Sequence, residues 1–237
     1  MYRRPLLIWT FGTLAGVFLI PCNPVSSTLI KLAFLTCVVG AWAGLLILTW
    51  RWKPIRTALI TIPFLLAIPF ILPGSRIEGS EVRDDYVRRM IRLEGTKYIW
   101  GGESRRGIDC SGLPRRALRD ALLAYGTRHA NGKAFRAYLE QWWLDASARA
   151  LGEGYRHYTQ PIGLNGTIRE MDYSKLLPGD LAVTLSGIHV LVYMGEERWI
   201  QADPGIGSVA LLNGRKDDNE WFNTPVTVHR WQLLSQQ

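Results

Sequence analysis

The chain of 237 residues has little of the chemistry that metal-binding or disulfide-stapled proteins use. It holds three cysteines and four histidines, with no HExxH motif and no Cys/His cluster at zinc-ligand spacing. Cys22 and Cys37 lie about 15 residues apart in or beside apolar helices, too far apart to pair. We therefore expect no metal, no cofactor and one unpaired thiol, Cys110, in the rest of the chain.

Acidic residues are absent from the first 75 residues, which carry six Lys or Arg. The rest of the chain holds 22 basic and 20 acidic side chains, so most of the net charge of +8 belongs to the N-terminal third. In an apolar segment such an excess sets membrane topology rather than phosphate binding. No basic stripe of the kind that contacts DNA or RNA is present, so we expect no nucleic-acid partner.

Three apolar stretches make up the N-terminal third, at 5–21, 29–50 and 57–72. A membrane span needs roughly 20 residues. The first two stretches are long enough, whereas the third has only 16 residues and contains two prolines. We predict three transmembrane helices within residues 1–74. The alternatives are a third segment that only dips into the membrane and a cleaved signal peptide over residues 1–22.

The charges that flank these stretches predict the topology. Two arginines precede the first stretch, and three basic residues in the loop RWKPIR at 51–56 separate the second from the third. The loop at 22–28 has no charge. The positive-inside rule therefore places the N-terminus and the 51–56 loop in the cytoplasm. Three crossings then make this a multi-pass protein of the inner (cytoplasmic) membrane, with the domain formed by residues 75–237 on the outer, periplasmic side.

The stretch YIWGGESRRGIDCSG at 98–112 puts Cys110 between a glycine loop and a predicted helix that runs from Ser111 to Tyr125. Asp109 is a favourable N-cap residue, and apolar residues recur behind it at helical spacing. The N-terminal end of a helix lowers the pKa of a thiol and favours the nucleophilic thiolate. Cys110 is therefore a candidate nucleophile. The alternative is that it is a small apolar residue of the core.

Helical patterns flank this stretch on both sides. Residues 82–93 carry apolar side chains on one helical face. Residues 126–175 form an insertion, within which 133–151 is predicted to be one helix ended by glycines. Trp142 and Trp143 of this insertion either line a sugar- or peptide-binding cleft or pack the insertion onto the domain.

From residue 177 the pattern changes to short strands separated by turns. Side chains alternate over 188–194, which puts His189 on one face of a strand. With a hairpin centred on Gly195, His189 lies directly opposite Gln201 on the returning strand. An amide at that distance can orient an imidazole, so the pair is a candidate base with its orienting group. A histidine in a strand is otherwise more often structural.

The motifs YIWGG and DCSGL around Cys110, LPGDL at 177–181 and IHVLVYMG with WIQA at 188–202 follow one another along the chain. In this order they resemble the NlpC-type family of papain-like cysteine peptidases, which are bacterial cell-wall hydrolases. The resemblance implies an α+β fold, in which the helix carrying the cysteine packs on an antiparallel sheet.

The resemblance also implies roles for individual side chains. Cys110 is the implied nucleophile, His189 the base and Gln201 the third polar residue, where the family usually has histidine or asparagine. Tyr98 and Ser111 are the implied groups around the oxyanion and the substrate, although Ser111 is also suited to capping the helix.

The activity that the resemblance implies is hydrolysis of an amide bond in the peptide stems of peptidoglycan, without a metal. Peptidoglycan peptides and the membrane are the expected partners, and the sequence indicates no protein partner. Two alternatives belong to other classes. One is a catalytically inactive, membrane-tethered binding or scaffold protein, and the other is a Cys-His amidase or acyltransferase that acts on a lipid or a protein.

Overall fold

The computed structural model describes residues 3–235. Its N-terminal third forms three helices, α1 (Arg3–Leu19), α2 (Thr28–Leu48) and α3 (Lys53–Ile71). All three are long and apolar enough to cross a membrane, as predicted, when α1 is counted with the 3-10 turn that follows it. Helix α3 has 19 residues rather than 16, which gives it a length of about 28 Å against a bilayer core of roughly 30 Å.

Both the α1–α2 loop and the end of α3 contact the rest of the chain. The amide of Ser26 donates to the carbonyl oxygen of Gly101 at 2.8 Å, and the amide of Glu103 donates to the carbonyl of Pro24 at 3.0 Å. Just beyond α3, the carbonyl of Pro73 accepts from the amide of Gly132. The α1–α2 loop and the end of α3 therefore lie on the same side of the three-helix unit.

Four further helices precede the main sheet: α4 (Gly79–Ile91), α5 (Gly112–His129), α6 (Gly132–Trp143) and α7 (Ala148–Gly152). Helix α4 buries Val82, Tyr86 and Met90, which recur at four-residue spacing and form the predicted apolar face. Helix α5 continues past the predicted end at Tyr125 as far as His129.

The prediction of one helix over 133–151 is wrong, because α6 and α7 are separate. Leu144 leaves the helical conformation, and Ser147 caps the new helix by accepting from the amide of Ala150. Between them Asp145 receives hydrogen bonds from Lys31 and Arg115. The break between α6 and α7 therefore places the Asp145 carboxylate where it binds two cations.

The main sheet has six antiparallel strands in the order β3-β8-β4-β5-β6-β7. A separate pair, β1 (Glu103–Ser104) and β2 (Gly107–Ile108), precedes Cys110. The main strands are β3 (Thr159–Thr167), β4 (Leu181–Thr184), β5 (Val190–Gly195), β6 (Arg198–Asp203), β7 (Ser208–Asn213) and β8 (Pro225–Trp231). Two short helices, α8 (Glu220–Asn223) and α9 (Gln232–Ser235), complete the chain. Strands β4, β5 and β6 are those predicted, whereas β3, β7 and β8 are absent from the predicted set.

The central strands β4, β5 and β6 are buried on both faces. Val190 and Val192 pack with α4 and α5 in one core, and Leu191 and Tyr193 pack with Trp199 in the other. This alternation along β5 agrees with the prediction. The α+β fold, with the cysteine helix packed on an antiparallel sheet, is confirmed.

Candidate active site

Cys110 lies two residues before α5, whose N-cap residue is Ser111 rather than the predicted Asp109, although the carboxylate of Asp109 binds the first turn of the helix. One oxygen of the Asp109 carboxylate accepts from the amide of Gly112 at 2.6 Å and from the hydroxyl of Ser111 at 3.1 Å. The other oxygen accepts from the amide of Gly101 at 2.8 Å. Asp109 therefore fixes both the first turn of the helix and the glycine loop before it.

The glycines of this region allow two backbone segments to touch. A Cβ atom on Gly112 would overlap the carbonyl oxygen of Gly102, and one on Gly102 would overlap the backbone of Gly107. Glycine is the residue that permits such a close approach. The glycines of the YIWGG and DCSGL motifs thus hold the loop against the start of the cysteine helix.

The thiol of Cys110 does not have the lowered pKa that its position at a helix start predicts. Burial, followed by the negative charge of Asp109, raises the pKa to about 12. Hydrogen bonds from backbone amides act in the opposite direction but are weaker. The side chain is only 8% exposed, so removing the thiolate from water outweighs the attraction of the helix end.

His189 lies at the beginning of β5 and is paired with Gln201 of β6. The ring atom Nε2 lies 2.6 Å from the Oε1 atom of Gln201, and both side chains are buried. The predicted pair is therefore present, but the predicted register is wrong. Val192 faces Ile200 and Tyr193 faces Trp199, so the ladder places Gln201 opposite residue 191 and diagonal to His189.

The turn explains the error in register. Glu196 and Glu197 both have positive φ values, 52° and 61°. They form a two-residue hairpin turn of the type that favours asparagine and glycine. Two glutamates give no such signal, whereas Gly195 before them suggests a turn centre one residue too early.

A network of polar side chains fixes the orientation of the Gln201 amide. Its nitrogen donates to the carboxylate of Asp203 and to Oδ1 of Asn219, each at 3.2 Å, and Asn219 itself donates to Asp203 at 2.8 Å. A carboxylate only accepts hydrogen bonds, so the amide nitrogen must face Asp203 and the oxygen must face His189. We assign the imidazole proton to Nε2 on this basis, which leaves Nδ1 as a free acceptor.

The environment of the imidazole keeps it neutral near pH 7. Burial lowers the pKa of His189 to about 4, although the hydrogen bond that it donates to Gln201 and the charge of Asp203 act to raise it. The ring of Trp221 stacks on the imidazole with centroids 4.1 Å apart and planes 19° apart. A neutral imidazole with an unprotonated Nδ1 has the form of a general base.

Three residues of this site are absent from the predicted set. Asp203 follows Gln201 by two positions and therefore shares its face of the strand, a signal that the alternation contained. Asn219 and Trp221 come from the segment at 219–223, between β7 and β8, which contacts His189 and Gln201. Their positions depend on tertiary folding, and no local sequence pattern predicts them.

The structure brings the cysteine close to the histidine. Among the described residues, 3–235, no hydrogen bond joins the two side chains. The Sγ atom of Cys110 lies 3.8 Å from the carbonyl oxygen of Ile188, the residue before His189. Tyr98 is half-buried nearby. Burial, followed by electrostatic repulsion from Cys110, Asp109 and Asp203, raises the pKa of its hydroxyl to about 12. The Ser111 hydroxyl is engaged by Asp109.

A family model described as the NlpC/P60 family matches residues 95–223. NlpC2 from Trichomonas vaginalis is 18% identical, with a TM-score of 0.43 and 66% of this chain aligned to 49% of that one. NlpC1 from the same organism is 20% identical, with a TM-score of 0.43 and coverage of 68% and 48%. The peptidoglycan hydrolase RipB from Mycobacterium tuberculosis is 20% identical, with a TM-score of 0.41 and coverage of 70% and 76%.

No curated protein matches this chain. The chain spans about half the length of the two Trichomonas structures. The residues matched by the family model make up more than half of the chain and include Cys110, His189 and Gln201. This chain therefore belongs to the NlpC/P60 family.

Proposed function

We propose that the chain is a membrane-anchored cysteine hydrolase that cleaves amide bonds in the peptide stems of peptidoglycan. The observation that carries the proposal is the buried hydrogen bond of 2.6 Å between His189 and Gln201, at the strand start that the Cys110 thiol contacts. A nucleophile, a base and a group that orients the base form the minimal set for covalent catalysis of acyl transfer. The family resemblance supplies the substrate class.

The reaction runs in two acyl-transfer steps. Nδ1 of His189 takes the thiol proton while Sγ of Cys110 attacks the amide carbonyl carbon. The tetrahedral intermediate expels the amine, which leaves with the proton from His189, and a thioester remains on Cys110. Water, deprotonated by the same Nδ1, then attacks the thioester, and the carboxylic acid and the free thiol are released. Gln201 holds the imidazole in the required tautomer throughout.

The negative oxygen of the tetrahedral intermediates needs hydrogen-bond donors. The backbone amide at the start of α5 and the hydroxyl of Tyr98 are our candidates, since both adjoin Cys110. The Tyr98 hydroxyl makes no hydrogen bond within residues 3–235, and its raised pKa keeps it protonated as a donor. Ser111 contributes its backbone rather than its hydroxyl, which Asp109 holds.

The resting protonation states favour a general-base mechanism over a preformed ion pair. A thiol with a pKa of about 12 keeps its proton at neutral pH, and an imidazole with a pKa of about 4 is unprotonated. Proton transfer must therefore accompany attack on the substrate. Substrate binding then has the further task of bringing the thiol within hydrogen-bonding distance of Nδ1.

We further propose that residues 1–74 form the membrane region and that residues 75–237 form the catalytic domain on the outer side of the inner membrane. Three helices of spanning length and the distribution of basic residues support this arrangement. It places the domain beside the cell wall.

A catalytically inactive scaffold is the second candidate, and two observations favour it. The Cys110 thiol is buried with a raised pKa, and it makes no hydrogen bond to His189 in the described part of the chain. A binding protein with the same fold does not need a reactive thiol.

Digestion of purified muropeptides by the full-length protein in detergent tests the proposal. We expect new amine and carboxylate termini in the products, detected by mass spectrometry, and loss of these products in Cys110→Ala and in His189→Ala. Cys22→Ser is the matched control, because Cys22 is a free thiol outside the candidate site. Persistence of the products in Cys110→Ala would refute the mechanism. A product carrying a transferred acyl group in place of the hydrolysed bond would identify an acyltransferase.

A further inference from the structure

A cavity of about 290 Å³ lies where the first turns of α2 meet the domain. The α1–α2 loop forms one wall, and α5 forms another. Lys31, Arg116 and Arg119 line it together with a single carboxylate, Glu103. The remaining lining is largely apolar and includes Phe34 of α2. One surface of the cavity is therefore cationic, and another continues into a helix of membrane-spanning length.

Ion pairs surround this cavity, and their charges do not cancel. The participants are four cations and three carboxylates: Lys31, Arg115, Arg116, Arg119, Glu103, Asp120 and Asp145. Three of the cations, Lys31, Arg115 and Arg119, are buried and share two carboxylates, Glu103 and Asp145. Each of these three cations shares its carboxylate with another cation, so the cluster is suited to an additional anion.

Arg119 has the unpartnered donors that such an anion needs. Its side chain is 7% exposed, and its Nη1 donates to Glu103 at 2.9 Å. Its Nε is buried without an acceptor in residues 3–235, and Nη2 makes no hydrogen bond within them either. The same edge of Arg230, Nε with Nη2, binds both oxygens of Asp180 at 2.7 Å. In Arg119 this fork, which fits carboxylate and phosphate oxygens, is vacant.

The position of the cavity selects the source of the anion. It lies at the end of α1 and the start of α2, where Ile20, Pro21 and Ile30 contribute to its lining. If these helices cross the membrane, this level corresponds to the interface between lipid headgroups and acyl chains. A phosphodiester supplies an anion to the arginines, and the acyl chains of a lipid can follow the apolar surfaces of α1 and α2.

We propose that this cavity binds the phosphodiester headgroup of an anionic membrane lipid, with Arg119 as the principal contact and Arg116 as a second one. The inference rests on the membrane anchoring proposed above but not on the hydrolase activity. Glu103 follows the glycine loop that Asp109 holds against the cysteine helix, so the cavity adjoins the segment that positions Cys110.

Thermal unfolding of the full-length protein in a neutral detergent, with added lipid, tests the proposal. We expect phosphatidylglycerol to raise the midpoint temperature and to stay bound in native mass spectrometry. Zwitterionic phosphatidylcholine and free glycerol phosphate should have little effect. In Arg119→Gln the apparent affinity for phosphatidylglycerol should fall at least about tenfold, because a charged hydrogen bond is removed.

Matched variants distinguish specific lipid recognition from the effect of removing any positive charge and from a failure to fold. Arg92→Gln removes an exposed arginine of the soluble domain and should bind lipid as the unmodified protein does. Arg119→Lys keeps the charge but lacks the fork, so it should also lose affinity. If Arg119→Gln does not fold, Arg116→Gln, which changes a half-exposed side chain, gives the same test.

Three results would overturn the inference. They are equal stabilisation by phosphatidylcholine, stabilisation by glycerol phosphate alone, and lipid binding unchanged in both the Arg119 and the Arg116 variants. Glycerol phosphate alone would identify a soluble anion as the ligand. Extraction of the protein from membranes by salt without detergent would refute the anchoring itself, whatever the activity on muropeptides.

Discussion

Gln201 reaches His189 across a diagonal of the β5–β6 ladder, with 2.6 Å between Oε1 and Nε2. Diagonal partners are roughly 7–8 Å apart, compared with roughly 4.5–5.5 Å for Cβ atoms of directly opposed residues. A long side chain is needed to close that gap. The register therefore gives a physical reason for glutamine at a position where the family usually has histidine or asparagine.

Shortening this side chain should uncouple it from the imidazole. In Gln201→Asn the amide keeps its chemistry but is one methylene shorter, so it should no longer reach Nε2. We expect muropeptide hydrolysis to fall by roughly 10²-fold, the lower end of what a positioned general base contributes. The activity of Gln201→Leu should fall by the same factor. Full activity in Gln201→Asn, measured as kcat/KM, would show that the diagonal contact is not needed.

Asp203 should act as a positioning residue through Gln201. In Asp203→Asn the side chain can donate as well as accept, so the Gln201 amide is free to turn and the correct imidazole tautomer is no longer enforced. We expect kcat to fall by roughly 10-fold with little change in KM, because the substrate does not contact Asp203 in our mechanism. Asp218→Asn is the control, since Asp218 is exposed and lies outside this network. Equal effects of the two substitutions would contradict the role.

The parts of the fold that local patterns predicted are those whose side chains repeat regularly. The buried face of α4 and the two faces of β5 follow directly from spacing. Strand β3 does not, because it is an edge strand with exposed polar residues, an internal proline and a register shift between Pro161 and Asn165. Gly163 and Gly166 within it have positive φ values, so the segment has the composition of a loop.

The candidate site likewise contains residues that the sequence predicts and properties that it does not. Cys110, His189 and Gln201 sit in motifs that are continuous in sequence, so the pattern and the family resemblance both indicated them. The pKa of the thiol was not predictable, because it depends on how much of the side chain other elements cover. The contact of Trp221 with His189 likewise depends on where the segment after β7 packs in the folded chain.

The buried thiol gives a pH dependence that distinguishes it from an activated one. The alkylation rate follows the thiolate fraction, and the pKa of Cys110 is about 12. In a variant lacking Cys22 and Cys37, labelling by iodoacetamide should rise about tenfold per pH unit from 7 to 9 without a plateau. Asp109→Asn removes the second cause of the raised pKa and should speed labelling at pH 8, whereas Asp84→Asn should not. Rapid labelling at pH 6 would instead indicate a thiolate paired with the imidazolium.

His189 should make the folded protein sensitive to mild acid. Its pKa is about 4 when folded, below the ordinary 6.5, so the unfolded chain binds more protons between these values. The contribution of His189 to the free energy of unfolding should therefore be fully present above pH 6.5. It should decrease as the pH falls towards 4, by on the order of 3 kcal/mol. His189→Gln should flatten this part of the profile of midpoint temperature against pH. His229→Gln controls for the other buried histidine, whose pKa burial also lowers. An unchanged profile in His189→Gln would refute the assignment.

The topology of the membrane region determines whether the domain can meet its proposed substrate. The α1–α2 loop is hydrogen-bonded to the domain through Ser26 and Pro24, so in the proposed membrane arrangement both lie on the same side. With all three proposed helices crossing the membrane, two arrangements satisfy this contact. One puts the uncharged loop and the domain outside, with the basic loop at 51–56 in the cytoplasm. The other reverses all of them and violates the positive-inside rule.

We therefore expect a phosphatase reporter to be active after Gly74 and at the C-terminus, and a fluorescent protein that folds only in the cytoplasm to be dark there. A reporter placed within 51–56 should give the opposite result. Replacing Arg51, Lys53 and Arg56 with glutamine should weaken this preference, because basic loops favour the cytoplasmic side, whereas Arg92→Gln, outside the membrane region, should not. Cytoplasmic signals from both distal fusions would remove the cell wall as substrate and leave the Cys-His-Gln arrangement to another amide or acyl substrate.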